Sequence, residues 1–536
     1  MSNKLPPILI AAGVFSLCLW AVQGQQSLDG RAPLTLEVDE LSQPVLQLDA
    51  HFELRWKSQD IIAAQEADEL QVLRRIALSL MGTIPSLEEV RQFEADVQPD
   101  RLERWTLEYL NDPRFADYFA ERLARCFVGT DNGAFLVFRR DRFVSWLSQN
   151  LRENKPYDQV VRELLTSDGL WTGDPESNFI TAALANNDLD ENKLATRSAR
   201  AFLGQSIDCA QCHDHEFAEW KQSQFEGIAA QFGAVEVGGF GVHDRMGTKY
   251  KVQDRKTLVD REIDPAVPFN PEWLPKTGTP REKFAAWVTH KDNRYFERAI
   301  VNRVWGLIFG APYISPVDDM GELPGPDERD ALDILGDDFE RHGYDLRRLI
   351  QVIVASRPFR LDSFHYNAGD SDAVDVLESE WALFPLTRLR PEQIIGSMLQ
   401  TSYIQTIDQN SHLFVRGKKF FNEREFVESY GDLGDQELQE RSGTIPQALL
   451  RMNGNMTRNA IETDGFSASN RVVSMCKTNE DVVETCFLIC ASRRPTQAEN
   501  EYFLAQLESS NERSRNTIVA DMFWILLNSP EFSWNH

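Results

Sequence analysis

The chain has 536 residues, with 83 Asp and Glu against 56 Lys and Arg, which gives a formal net charge of −27 at pH 7. A surface this acidic repels phosphate backbones, so the composition excludes nucleic acid as a partner. Hydrophobic residues make up 42% of the chain, enough for packed cores, and only one apolar run, at the N-terminus, is long enough to concern a membrane. A protein with several membrane spans is therefore also excluded.

Residues 1–24 predict a secretory signal peptide. Lys4 precedes an apolar run over residues 5–22, and small side chains stand before the polar Gln25, as a signal peptidase requires. The run approaches the roughly 18 residues that cross a membrane, so an uncleaved N-terminal anchor is the alternative. Both interpretations predict export to the periplasm, the cell envelope or the medium, with membrane contact only through this segment if it is uncleaved.

Residues 25–65 predict an N-terminal lead-in with a weak strand-like stretch over residues 35–48. A first helical domain is predicted over residues 66–233. Its helices have recognisable starts: Ser86, followed three positions later by Glu89, is a capping box.

The pattern changes after this domain. Residues 234–281 contain closely spaced glycines between short runs rich in Val and Tyr, which predict a small β-insertion. A proline-rich linker follows, because residues 264–280 hold five prolines. Residues 282–536 predict a second helical domain. The predicted fold is therefore mostly α, in two helical lobes with a small β-insertion and a proline-rich linker between them.

Six cysteines lie outside the predicted signal peptide, too few for a disulfide scaffold in about 510 residues. Cys486 and Cys490 lie four positions apart in an apolar helical stretch, which favours buried core thiols. No G-x-S-x-G, H-E-x-x-H or P-loop lysine motif is present, so the sequence leaves an enzymatic activity open.

Cys209, Ala210, Gln211, Cys212 and His213 form a CxxCH pentapeptide. In an exported chain this spacing is typical of covalent haem attachment, because two thiols three residues apart can add to both vinyl groups of one porphyrin. His213 then becomes the proximal axial ligand of the iron. The sequence thus predicts a cofactor site, with haem c as the cofactor.

The second axial ligand is less evident. His215 lies only two residues beyond His213, so it points elsewhere on a helix. The candidates in the glycine-rich insertion are Met246 and His243, and two further candidates are Met320 and His290.

Two alternatives compete with haem. Zinc or iron bound by Cys209, Cys212 and either His213 or His215 is chemically reasonable, because thiolate and imidazole suit both metals. The other alternative is a Cys209–Cys212 disulfide that only staples the loop.

The pentapeptide and its flanks, Phe202-Leu203-Gly204 before it and Asp214-His215 after it, resemble the end of the planctomycete cytochrome-c-like PSCyt domain. The second helical region resembles the partner PSD domain through Val301-Asn302-Arg303-Val304-Trp305, Pro316-Val317-Asp318-Asp319 and Gly343-Tyr344-Asp345-Leu346. The resemblance covers roughly residues 60–535. It implies an exported pair of domains whose biochemical activity is undefined.

Three functions follow from these patterns. The first is single-haem electron transfer with redox or envelope proteins as partners. The second is a non-haem metal-dependent envelope enzyme, acting on polysaccharide-related substrates. The third is a structural or binding protein of the envelope whose cysteine pair is a staple.

Overall fold

The computed structural model describes residues 38–536 apart from 132–137, 186–187, 215–219, 246, 254–258, 326, 366–370, 432–433, 435–437, 439–443, 455–467 and 510–511. The predicted signal peptide or anchor, His215 and Met246 lie outside the described residues. The described part of the chain is mostly helical, with 24 α-helices and only two-stranded sheets, so the predicted fold class is confirmed.

The α-helices that precede the β-insertion are α1 (Val38–Ser58), α2 (Glu69–Met81), α3 (Leu87–Ala95), α4 (Arg101–Asn111), α5 (Pro113–Val128), α6 (Arg140–Arg152), α7 (Tyr157–Thr166), α8 (Asn178–Thr181), α9 (Glu191–Leu203) and α10 (Gln222–Ala229). Those that follow it are α11 (Pro280–Val288), α12 (Arg294–Phe309), α13 (Ala331–Arg341), α14 (Leu346–Ala355), α15 (Arg357–Arg360), α16 (Ser371–Ser379), α17 (Pro391–Thr401), α18 (Leu413–Tyr430), α19 (Ile445–Asn453), α20 (Ala468–Met475), α21 (Asn479–Ala491), α22 (Gln497–Glu508), α23 (Glu512–Asn528) and α24 (Pro530–Ser533).

Four antiparallel pairs of short strands complete the described elements. They are β1 (Leu184–Ala185) with β2 (Asp188–Leu189), β3 (Val235–Gly238) with β4 (Gly241–Asp244), β5 (Tyr250–Gln253) with β6 (Asp260–Ile263), and β7 (Thr387–Arg388) with β8 (Trp534–Asn535). The two middle pairs lie in the segment that the glycine pattern predicted to be a β-insertion. Short 3₁₀ helices occur at Pro175–Ser177, Asp208–Gln211, Ala230–Phe232 and Pro271–Trp273.

The capping box before α3 is present as predicted. The Ser86 hydroxyl accepts from the Glu89 amide, and the Glu89 carboxylate accepts from the Ser86 amide. The strand-like interpretation of residues 35–48 is wrong for its described part, because α1 begins at Val38. This helix buries Leu48, Phe52 and Trp56 on one face, so helical spacing and tertiary packing decide its conformation.

The two predicted helical regions share one core. Residues 37–536 form one compact unit, with no division at the proline-rich segment. One continuous apolar cluster contains Phe119 and Phe127 of the first region together with Trp305 and Phe309 of the second. The proline-rich segment itself is packed: the Trp287 indole N–H donates to the Phe269 carbonyl at 2.9 Å. The proline-rich segment therefore packs against the shared core and does not separate two lobes.

An ion cluster joins the two regions across 267 to 270 residues of sequence. The Glu392 carboxylate, at the start of α17, accepts from Arg122 at 3.0 Å and from Arg125 at 2.7 Å, both on α5. Burial would raise the pKa of Glu392, but the two guanidinium groups outweigh burial and lower the pKa to about 2. The two guanidinium groups therefore favour the ionised carboxylate at neutral pH.

A second buried carboxyl group lies between α12 and α13. Glu297 is only 6% exposed, and its Oε1 atom has no hydrogen-bond partner among the described residues. Burial, followed by the negative charges of Glu340 and Asp337, raises the pKa of Glu297 to about 8, although Arg294 acts in the opposite direction. Glu297 is therefore largely protonated at neutral pH.

Replacing Glu392 with Gln is expected to lower the free energy of unfolding by about 2 kcal/mol, because two buried guanidinium groups lose the carboxylate they share, although Arg125 keeps its ion pair with Glu121. Glu53→Gln is the matched control: Glu53 also pairs with an arginine, Arg357, but at the surface. The control should cost less than about 1 kcal/mol. Denaturant unfolding measures both, and equal losses would contradict a special role for the buried cluster.

Glu297 predicts a loss of stability at alkaline pH. The unfolded carboxyl releases its proton near pH 4.5 and the folded one near pH 8, so the folded state holds more protons between these values. Stability from this group therefore falls as pH rises through that window, by up to about 4 kcal/mol. Glu297→Gln should remove this slope in denaturant unfolding at about pH 5 and about pH 9. An unchanged slope would show that Glu297 ionises normally.

Candidate functional site

The CxxCH pentapeptide lies in the turn that follows α9. The helix ends at Gly204, whose φ of 60° is left-handed and suits glycine. The chain then enters the short 3₁₀ helix over Asp208–Gln211. Ile207 and Ala210 are fully buried and anchor this turn, whereas Cys209 and Cys212 are exposed. Burial of Ile207 and Ala210 thus leaves both cysteines on the exposed side of the turn.

The imidazole of His213 has a defined hydrogen bond. Its Nδ1 atom lies 2.7 Å from the carbonyl oxygen of Asp214. A carbonyl oxygen can only accept, so Nδ1 carries a hydrogen, and in the neutral ring Nε2 then has the lone pair. Metal-binding histidines are commonly held in this way, with one ring nitrogen donating to a carbonyl and the other facing the metal. The His213 ring is exposed, which leaves Nε2 accessible.

The loop that carries the pentapeptide is closed at its base. Gln205 accepts from the Trp220 indole N–H at 3.2 Å and donates to the Gly321 carbonyl at 2.7 Å. The Met320 amide donates to the Gly204 carbonyl at 2.9 Å. Residues from both helical regions therefore meet where the pentapeptide loop begins and returns.

The four candidates for a second axial ligand have different positions. Two imidazoles are engaged elsewhere: His243 lies on β4 with Nε2 3.7 Å from the Glu236 carboxylate, and His290 stacks on Trp273 with ring centres 4.5 Å apart. Met320 is 8% exposed and lies at the base of the pentapeptide loop. The fourth, Met246, lies outside the described residues.

The metal and disulfide alternatives concern the same turn. Within the described ranges, no group of three or more His, Cys, Asp or Glu side chains converges as a metal site would require. No disulfide joins Cys209 to Cys212, which both belong to the described residues. The alternative ligand His215 lies outside those residues.

The two cysteines that the sequence predicts to be core thiols are buried. Cys486 and Cys490 lie on α21, and burial raises the pKa of both thiols. Buried neutral thiols are unreactive, so these two cysteines do not compete with the exposed pair as a cofactor site.

The donor set suits a c-type haem. Two accessible thiols three residues apart would form the two thioether bonds, and the adjacent imidazole presents the free ring nitrogen that an axial ligand needs. The sequence did not identify Gln205 and Trp220 as part of the site. Their hydrogen bond closes the base of the loop, and it depends on the path of the chain between them. The sequence did contain one signal near this contact, because the motif Pro316-Val317-Asp318-Asp319 of the second region directly precedes Met320.

Comparison with known families gives two matches in the predicted order. Residues 47–237 match PSCyt2, a protein of unknown function (DUF1549), and residues 280–507 match PSD1, a protein of unknown function (DUF1553). No curated protein and no solved structure matches the chain. Over the described part of the chain, no helix combines the length and the apolar character needed to cross a membrane.

Gly204→Ala is expected to destabilise the base of the pentapeptide loop. A Cβ atom there would collide with the Met320 methyl group, in addition to the strain of a left-handed alanine. Gly343→Ala is the control, because Gly343 has a φ of 70° and open space around the added Cβ. The control should cost about 1 kcal/mol, and Gly204→Ala somewhat more, because the Met320 methyl group is the flexible end of a side chain and has to shift. Equal losses in denaturant unfolding would mean that Met320 yields freely.

Proposed function

Because the chain belongs to the proteins that join a PSCyt2 domain to a PSD1 domain, we propose that it is an exported c-type-cytochrome-like protein. It holds one haem covalently through Cys209 and Cys212, with His213 as the proximal ligand, and it transfers single electrons to or from redox proteins of the cell envelope. The cytochrome-like name of the first domain agrees with this function but does not establish it.

One observation carries the proposal: both thiols and the free imidazole nitrogen are accessible on the same short turn. Cys209 and Cys212 are exposed while Ala210 between them is buried. An accessible pair of thiols in an exported protein would otherwise oxidise, since the compartments outside the cytosol favour disulfides. Haem attachment gives these sulfur atoms a stable end product.

The residues of the chain have separate roles in this function. Cys209 and Cys212 would hold the haem, each by addition of its S–H bond across one vinyl C=C bond with no atom released. His213 would bind through Nε2, and the Asp214 carbonyl holds the ring by accepting from Nδ1 at 2.7 Å. When bound, the haem supplies reversible one-electron chemistry. The buried Ile207 and Ala210 keep the turn in place.

The exposed position of the turn also suits electron transfer between proteins. A redox centre held at the surface can approach a partner closely without a conformational change. The net charge of −27 favours partners with a basic docking face, because complementary charge steers association.

The test is covalent haem on the full-length protein made with a functional haem-attachment system. Haem staining after denaturing electrophoresis, together with a pyridine haemochrome spectrum, should show one haem per wild-type chain. The double variant Cys209→Ser, Cys212→Ser should lose covalent haem completely. His213→Ala should keep some covalent haem but shift the Soret band. Cys476→Ser, at a half-buried cysteine on another face of the fold, is the control and should behave as wild type.

Absence of haem from the wild-type protein would refute the proposal. Elemental analysis of that protein would then separate the alternatives. About one zinc or iron per chain, lost in the Cys209→Ser, Cys212→Ser variant, would support a non-haem metal site. No bound metal would leave a structural role for the loop.

A further inference from the structure

The turn over residues 342–345, here called the Tyr344 turn, connects α13 to α14 and contacts the first matched region. The Tyr344 carbonyl accepts from the Tyr157 amide at 3.0 Å, and the Asp345 carboxylate accepts from the Asn154 side chain at 2.8 Å. Tyr157 begins α7, and Asn154 lies just before it. The two matched regions are therefore joined at this edge of the core through the Tyr344 turn.

Tyr344 holds an unfavourable backbone conformation. Its φ of 60° lies in the left-handed region, which a residue with a Cβ atom rarely adopts. The residue is 9% exposed, and its ring packs edge-to-face against Phe296 and Phe339 with ring centres 5.8 and 5.4 Å apart. The Tyr344 hydroxyl has no hydrogen-bond partner within the described ranges. Packing of the ring therefore holds the strained turn closed.

Glu297 follows Phe296 on α12 and lies beside this turn. A Cβ atom added at Gly336 of α13 would stand 3.3 Å from the Glu297 Oε2 atom, so the two helices pack closely around the carboxyl group. Burial, followed by the charge of Glu297, raises the pKa of the Tyr344 hydroxyl, as expected for two groups that lie close together. Ionisation of Glu297 would leave its buried, unpartnered Oε1 atom without a donor.

The charged groups around this pair come from three helices and the turn before α13. Those that act on Glu297 are Arg294, Arg329, Asp333, Asp337 and Glu340, and those that act on Tyr344 also include Asp158 and Arg162 of α7. Both arginines near Glu297 are paired with aspartates of α13, Arg294 with Asp333 at 2.7 Å and Arg329 with Asp337 at 2.6 Å. The acidic groups of α13 therefore oppose a further negative charge on Glu297.

The two helices around Glu297 are held together firmly on the side away from the turn. Arg298, only 3% exposed, pairs with Asp330 at 2.7 Å and with Asp333 at 2.9 Å. Across the described part of the chain, no ion pair fastens the Tyr344 turn to α12 in the same way. A charge on Glu297 is therefore relieved most readily by movement of this turn, which also releases its backbone strain.

We propose that Glu297 and Tyr344 form a proton-controlled latch between the two matched regions. While Glu297 is protonated, the Tyr344 turn stays closed on Tyr157. Loss of the proton leaves a buried negative charge beside the Tyr344 ring, and the turn moves away from α12 so that water reaches the carboxylate. The alkaline form is folded but open at this edge. The latch is independent of the proposed haem.

The direction of the pH dependence follows from the two states of the carboxyl group. In the closed state the pKa of Glu297 is about 8, whereas a carboxyl exposed by opening titrates near its ordinary value of 4.5. The closed state thus holds more protons between these values, and opening increases as pH rises through the window. Between about pH 6 and about pH 9 the opening equilibrium can increase by up to about a hundredfold.

Hydrogen exchange of the full-length protein, resolved to single amides, tests the latch. After division by the intrinsic exchange rate at each pH, protection of the Tyr157 amide should fall by about tenfold or more between about pH 6 and about pH 9. The Ala64 amide is the internal reference, because it donates to the Ala382 carbonyl at 2.8 Å and joins the same two regions elsewhere. Its protection should change much less.

Three variants assign the change to Glu297. Glu297→Gln keeps the shape of the protonated carboxyl and cannot ionise, so protection of the Tyr157 amide should stay high up to about pH 9. Glu340→Gln removes a negative charge that raises the pKa of Glu297, so opening should begin at lower pH. Glu480→Gln, at an exposed position on α21, is the control and should match wild type. Glu340→Gln keeps the test decisive if Glu297→Gln does not fold.

Three results would overturn the inference. Unchanged protection of the Tyr157 amide in wild type would mean that Glu297 ionises without opening the turn. Equal losses at Tyr157 and Ala64 would mean that the whole fold, and not this edge, opens at alkaline pH. A wild-type loss that persists in Glu297→Gln, or an opening midpoint unmoved in Glu340→Gln, would assign the change to another group.

Discussion

The two matched regions are joined by a carboxylate of the second that is neutralised by two buried arginines of the first. Glu392 lies between Arg122 and Arg125 with donor–acceptor distances of 3.0 and 2.7 Å. An uncompensated charge at such a position costs several kcal/mol, so neither region can bury its share of this surface without the other. Around it, the Gln393 amide donates to the Leu78 carbonyl at 3.0 Å, which extends the junction with neutral hydrogen bonds. The regions matched as separate families therefore fold as one unit.

This shared core explains how a loop of the second region contacts the pentapeptide loop of the first. Hydrogen bonds from Met320 and to Gly321 are short because α9 and α12 pack against each other in the interior. If the proline-rich segment were a free linker, those bonds would have to restrict the relative motion of two domains. They would then contribute little, because ordering two bodies has a large entropic cost. In one unit, their geometry is already set by the core.

The sequence predicts local features well and distant pairings poorly. The capping box at Ser86 and Glu89 was predictable because its reciprocal hydrogen bonds involve residues three positions apart. The CxxCH pentapeptide was recognisable for the same reason, since all of its donor atoms lie within five residues. The ion cluster of Glu392 is invisible in any local pattern because its partners lie 267 and 270 residues away. Residues 38–48 were assigned wrongly because their helical face is recognisable only with Phe52 and Trp56, beyond the stretch considered.

The pentapeptide lies at the surface of the shared core: Ile207 and Ala210 are buried in the core, whereas Cys209 and Cys212 are exposed. A cofactor held at an exposed turn buries little of its surface, so noncovalent burial would give little binding free energy. In the proposed function, two thioether bonds would hold the cofactor irrespective of how much of its surface is buried. A contact from the second region then restrains the base of the loop, and the loop itself does not have to be longer. In the proposed function, the first matched region would attach the cofactor, and the second restrains the base of the loop through the hydrogen bonds of Met320 and Gly321 to Gly204 and Gln205.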